Sequence, residues 1–137
     1  MILVSSCLCG INCKYNGGNN YNEKVMNYLK DKEYIMVCPE VLGGLLIPRS
    51  PSEIKVDKVI NKDGIDVTEE YRLGALKTLD IAKKNNVSLC IMKSNSPSCG
   101  TNKIYDGTFS KKLIQGDGVT VSLLKENGIK VITENDL

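Results

Sequence analysis

Short apolar runs alternate with amphipathic stretches along this chain. Residues 2–6 (ILVSS), 34–38 (YIMVC) and 87–93 (VSLCIMK) are apolar segments bounded by polar or turn-forming residues, the pattern of buried strands. A fourth short strand is expected at residues 129–133 (IKVIT). Between them, residues 22–32 place Val25, Met26 and Leu29 at helical spacing behind Asn22, a capping residue. Thr68 is expected to cap a second helix, with Glu69 and Glu70 in its first turn and Tyr71, Ala75, Leu79 and Ala82 along one face, ending at Asn85-Asn86. Residues 116–128 predict a third helix, stopped by Gly128. Strands alternating with helices predict an α/β layered fold with a mainly parallel sheet.

The intervening chain is less regular. Residues 7–20 are a glycine-rich loop, and residues 39–54 (PEVLGGLLIPRSPSEI) are expected as a loop rich in glycine and proline. Residues 53–68 suggest a small hairpin or an irregular excursion, with Asp63-Gly64 as the turn. No repeat, linker or low-complexity tract interrupts the chain, so one domain over residues 1–137 is expected.

Composition narrows the function. Hydrophobic content of 42% and charged content of 25% are ordinary for a globular domain. A net charge of +2 is too mild to argue for nucleic acid, and one Phe, six Tyr and no Trp make a single-strand stacking platform unsuitable. The opening apolar run is too short for a signal sequence or a membrane span, so a cytoplasmic protein with no membrane association is expected. In that compartment thiols stay reduced, which turns the six cysteines toward metal binding or catalysis rather than disulfides. The chain has no histidine. Ser-His-Asp and Cys-His catalysis are thereby excluded, as is every zinc site that uses histidine.

Three cysteines occupy equivalent positions. Cys7 and Cys38 end the first two predicted strands, and Cys99 lies in SNSPSCG, the polar loop that leaves the third. In a parallel sheet the carboxyl ends of the strands form one rim, where ligands bind. Three thiolates there suit a soft metal, with chance convergence among six cysteines as the alternative. No close CxxC pair is present. The glycines form neither GxGxxG after a strand nor GxxxxGK[ST], so nucleotide binding has no support.

The motifs SSCLCGINCKYNGG, CPEVLGGLLIPRSPSEI, SNSPSCG, YDGTFS and GDGVT resemble, in this order, those of the domain-of-unknown-function family 523, which includes the thiouracil desulfidases. The resemblance covers nearly the whole chain. It implies a Rossmann-like α/β fold and a [4Fe-4S] cluster held by three cysteines, matching Cys7, Cys38 and Cys99, with one iron left open. It implies functional roles for Glu40, in CPE, and for Ser96, which opens SPSCG. Cys9 and Cys90 are expected to have no cluster role, and Cys13 likewise, although it is the first candidate for an exception.

On that resemblance the expected reaction is hydrolytic, non-redox loss of sulfur from a thiolated base or nucleoside. Glu40 would act as general base and Ser96 would orient water or substrate. Without the resemblance, Glu40 is equally a loop or helix-start carboxylate and Ser96 an ordinary turn serine. Lys14, Arg49 and Lys93 could offset the cluster's charge, or be plain solvated cations. A small molecule is favoured over RNA as substrate, because the chain has no room for an appended RNA-binding module. The rival readings are a non-catalytic metal or sulfur carrier and a cysteine-based redox sensor.

Overall fold

The computed structural model describes all residues, 1–137. In chain order the elements are β1 (Ile2–Ser5), α1 (Glu23–Leu29), β2 (Tyr34–Val37), α2 (Pro39–Leu42), β3 (Ser52–Lys55), β4 (Lys58–Asn61), α3 (Thr68–Lys84), β5 (Leu89–Met92), β6 (Lys103–Tyr105), β7 (Leu113–Gln115), α4 (Val119–Glu126) and β8 (Lys130–Thr133). A 3-10 turn, Ser6–Cys9, follows β1 directly.

β1, β2, β5 and β8 form one parallel sheet in the order β2-β1-β5-β8. Alternation along the strands builds two apolar layers. Leu3, Cys90 and Met92 face α3 and α4, where they pack with Leu79, Ala82, Val121 and Leu124. Ile2, Val4 and Ile91 face the other way and pack with Val25 and Leu29 of α1. This is the α/β layered, Rossmann-like architecture with a mainly parallel sheet. The strand order reverses at β1, which opens a crevice above the carboxyl ends of β1 and β5. No helix is long and apolar enough to cross a membrane.

Several boundaries differ from the sequence reading. The hairpin β3–β4 turns at Val56-Asp57, between the paired Lys55 and Lys58, and not at Asp63-Gly64. Val56 takes a φ of 61° at that turn. Asp63-Gly64 instead forms a second turn after β4, where the Asn61 Oδ1 accepts from the Asp63 and Ile65 amides at 3.0 and 2.9 Å. A local side-chain acceptor won over the Asp-Gly hairpin signal. Thr68 is not the cap of α3 but its first residue. Asp66 Oδ1 accepts from the Thr68 amide at 2.9 Å, which frees the Thr68 hydroxyl to accept from Val59 N of β4. Asn22 does cap α1, accepting from Val25 N at 3.1 Å.

Residues 39–54 are not all loop, since Pro39 opens the one-turn helix α2. α2 lies against α3 through two glycines. A Cβ on Gly43 would stand 1.9 Å from the Glu70 carbonyl oxygen, and one on Gly74 1.9 Å from that of Pro39. Only glycine permits this approach, and it presses the turn that carries Glu40 onto α3.

Candidate active site

Cys7, Cys38, Cys99 and Glu40 line one cavity of about 440 Å³ at the carboxyl ends of the strands, together with Cys13, Arg49, Tyr71, Lys93 and Ser96. Each arrives by a different route. Cys7 lies in the 3-10 turn just beyond β1, not at the strand's end as expected, and its carbonyl accepts from Asn20 N at 2.9 Å. Cys38 stands between β2 and α2, one residue before the helix opens. Cys99 sits in the loop after β5, where the Ser96 Oγ accepts from the amides of Ser98 and Cys99 at 3.1 and 3.0 Å. Ser96 therefore fixes the backbone that presents Cys99, and its own hydroxyl proton remains free to donate. The Ser5 hydroxyl joins the ends of β1 and β5 by accepting from Lys93 N at 3.0 Å.

All six cysteines are free thiols. Burial pushes the Cys7 thiol up, against a lowering hydrogen bond to Asn20, and burial likewise pushes Cys99 up. The Cys38 Sγ reaches the Cys13 carbonyl at 3.9 Å, and the neighbouring Cys13 thiol draws Cys38 below the ordinary thiol range while Cys13 itself is pushed above it. Thus Cys13 stands beside the expected ligands. The other two stand apart. Cys90 is fully buried among Leu3, Val87 and Met92, and burial raises its thiol to about 12. Cys9 packs beside the core around α1, and burial raises it to about 11.

Glu40 is held by three bonds to one oxygen. Arg49 Nε and Nη2 donate to Oε2 at 3.2 and 3.0 Å, and the Tyr71 hydroxyl donates to it at 3.0 Å. The Glu40 and Arg49 side chains are only 16% and 10% exposed. Arg49 also donates to the carbonyls of Cys13 and Leu46, at 3.0 and 3.1 Å, so the guanidinium knits the Cys13 loop to the Glu40 turn. Oε1 of Glu40 has no partner in the protein, yet no buried side-chain oxygen is left without one. Oε1 therefore keeps some accessible surface, on a residue that lines the cavity.

Two of these residues escaped the sequence reading. Arg49 was only one of several candidate cations, and Tyr71 only a core position. A tyrosine on the buried face of a helix nevertheless needs a partner for its hydroxyl, and that signal was in the sequence. Glu134, beyond β8, was also missed. Its carboxylate is 8% exposed, accepts from the amide and hydroxyl of Ser94 at 2.8 and 2.9 Å, and pairs with Lys93 at 3.3 Å. Lys93 is therefore tied down rather than freely solvated.

The donor set can be tested against the expected cluster. No three His, Cys, Asp or Glu side chains stand close enough to hold a single metal ion. An iron–sulfur cluster bonds each thiolate to a different iron and so asks for several thiols on one cavity, and Cys7, Cys38 and Cys99 all line the same one. Soft thiolates are also the right chemistry, and Arg49 and Lys93 supply positive charge nearby. The residues fit.

Known proteins share this chain's sequence and fold. The chain is 50% identical to the uncharacterized protein YbbK of Bacillus subtilis (strain 168), over 100% of this chain and 97% of that protein. It superposes on the solved structure of TudS, a [4Fe-4S]-dependent thiouracil desulfidase, with a TM-score of 0.94 and 36% identity, covering 99% of this chain and 91% of TudS. The 2-thiouracil desulfurase family matches residues 2–136, and the chain belongs to that family.

Proposed function

We propose that the protein is an iron–sulfur-dependent desulfidase in which Cys7, Cys38 and Cys99 hold a [4Fe-4S] cluster and a thiouracil-like base or nucleoside loses its sulfur by hydrolysis. The overall change replaces C=S by C=O, consumes one water and releases sulfide, with no electrons gained or lost. The observation that carries this reading is the convergence of three thiols and one clamped carboxylate on a single cavity. Membership of the 2-thiouracil desulfurase family and the likeness to TudS support it.

Once bound, the cluster would supply a soft Lewis-acidic iron free of protein ligands, which favours a thiocarbonyl sulfur over a carbonyl oxygen. The chain's own residues supply the rest. Glu40 presents Oε1 to the cavity while Arg49 and Tyr71 hold Oε2, so a water can be positioned and deprotonated at one defined atom. The proton taken there is available to return to the ring nitrogen or the departing sulfide. Ser96 holds the Cys99 amide and directs its free hydroxyl proton toward substrate or water. Arg49 and Lys93 offset the negative charge that three thiolates bring.

The cavity volume, about 440 Å³, suits a small ligand, and the modest net charge of +2 gives no broad electrostatic footprint for RNA. A reducing cytoplasmic setting suits six free thiols. The test is anaerobic reconstitution with iron and sulfide, followed by incubation with 2-thiouracil. Equimolar uracil and sulfide are expected. Retention of thiouracil by a fully loaded protein would leave the carrier reading in its place.

A further inference from the structure

Phe109 is the chain's single phenylalanine, and it sits between β6 and β7 with a backbone φ of 56°. Bulky residues seldom adopt the left-handed region, so the surroundings must over-determine it. Here they do. Glu53 of β3 is 8% exposed, and its Oε1 accepts from the amides of Gly107 and Phe109 at 3.0 and 3.1 Å. Gly107 takes a φ of 91°, and a Cβ there would come within 2.9 Å of the Ile54 carbonyl oxygen, so the loop passes hard against β3. A buried carboxylate is thus committed to holding a surface loop in an unfavourable conformation.

That conformation brings Phe109 to the wall of the cavity lined by Cys7, Cys38, Cys99 and Glu40. The ring is only half-buried. Most of the cavity's surface is apolar, and Phe109, the chain's single phenylalanine, gives it an aromatic face free of any polar atom. Tyr15 and Tyr105 also line it, but neither is held at a positive φ.

We propose that Phe109 is a specificity-determining residue: its ring is the face on which the planar thiolated pyrimidine stacks, and Glu53 is the positioning residue that holds it there. A pyrimidine has a π-face but little hydrophobic volume, so a flat aromatic wall selects it over aliphatic thioamides. The inference rests on the desulfidase reading and adds to it the contact that recognises the ring.

The test uses iron-loaded wild type, Phe109→Ala, Phe109→Leu, Phe109→Tyr and Glu53→Ala, with iron content measured on each. KM for 2-thiouracil and the inhibition constant of uracil, which has no sulfur to lose, are the readouts. Phe109→Ala is expected to raise both by roughly ten- to a hundredfold, the range of one base–aromatic stack, with the loss on KM rather than kcat. Phe109→Tyr should restore both, and Phe109→Leu, which keeps bulk without a π-face, should not. Glu53→Ala should shift both constants in the same direction while iron content stays at the wild-type level. Wild-type constants in Phe109→Ala or Phe109→Leu would overturn the proposal while the desulfidase reading stands. Absence of turnover in the loaded wild type would instead overturn the reading beneath it.

Discussion

Glu40 and Arg49 meet at one oxygen, with the Arg49 Nε and Nη2 at 3.2 and 3.0 Å from Glu40 Oε2. The pair is nearly buried, and the Tyr71 hydroxyl closes on the same atom. One carboxylate oxygen is thereby spent on architecture, and the other is the proposed base. Replacing Glu40 by Gln keeps an oxygen for Arg49 and Tyr71 but removes the base. Glu40→Gln is expected to load iron as wild type does and to lose about 10²–10⁴-fold in kcat, the usual weight of a general acid–base. Arg49→Met leaves the carboxylate without its cation and should lower the unfolding free energy by about 3 kcal/mol, as broken buried pairs do. Glu40→Gln breaks the same pair from the other side and should also unfold more easily in denaturant titration, so turnover is compared per loaded iron, where only Glu40→Gln is expected to show the full kcat loss. Wild-type turnover in Glu40→Gln would remove the base from the account.

Ser96 has a double task that the sequence did not reveal. Its Oγ accepts from two amides, one of them that of Cys99, so Ser96→Ala removes a loop fastening as well as a hydroxyl donor. A loss of about 1–2 kcal/mol in stability is expected from the two unmade bonds. Iron binding should weaken alongside turnover, because the Cys99 backbone loosens. Ser96→Thr keeps the acceptor and should recover iron content. Full iron content and full turnover in Ser96→Ala would show that neither task matters.

The closeness of Cys13 to Cys38 bears on thiol reactivity in the iron-free protein. Cys38 is held below the usual thiol range, so its thiolate fraction rises at lower pH than that of an ordinary cysteine. Burial shifts Cys90 the opposite way, to about 12. At neutral pH iodoacetamide should therefore modify Cys38 first among the cavity thiols and leave Cys90 untouched, as read by peptide mass spectrometry over time. Cys13→Ala removes the neighbouring thiol that lowers Cys38 and should slow Cys38 alkylation at that pH. Faster labelling of Cys90 than of Cys38 would contradict the arrangement.

Much of the frame was visible in the chain. The apolar runs just before Cys7 and Cys38 and the run before SNSPSCG are strands of one parallel sheet, which is why residues far apart in sequence share a rim. β6 and β7 were not visible, since β7 is exposed at every position and so leaves no burial alternation to read. Thr68 was misplaced because its hydroxyl serves β4, a tertiary contact that outweighs local capping preference. Arg49 and Glu134 escaped for the same reason, since a charged residue gives no sequence sign that it is buried against a partner many residues away. Glu134 bonds to Ser94 across 40 positions of chain.

The most direct measurement is iron content and 2-thiouracil turnover across single alanine variants of five cysteines, reconstituted side by side without oxygen. Cys7→Ala, Cys38→Ala and Cys99→Ala should each fail to hold the cluster and release no sulfide. Cys9→Ala and Cys90→Ala should keep both, with Cys90→Ala somewhat less stable because it leaves a gap in a fully buried site. A fully loaded, active Cys99→Ala protein, or loss of iron confined to Cys9→Ala or Cys90→Ala, would contradict the assignment of the three cavity thiols to the cluster.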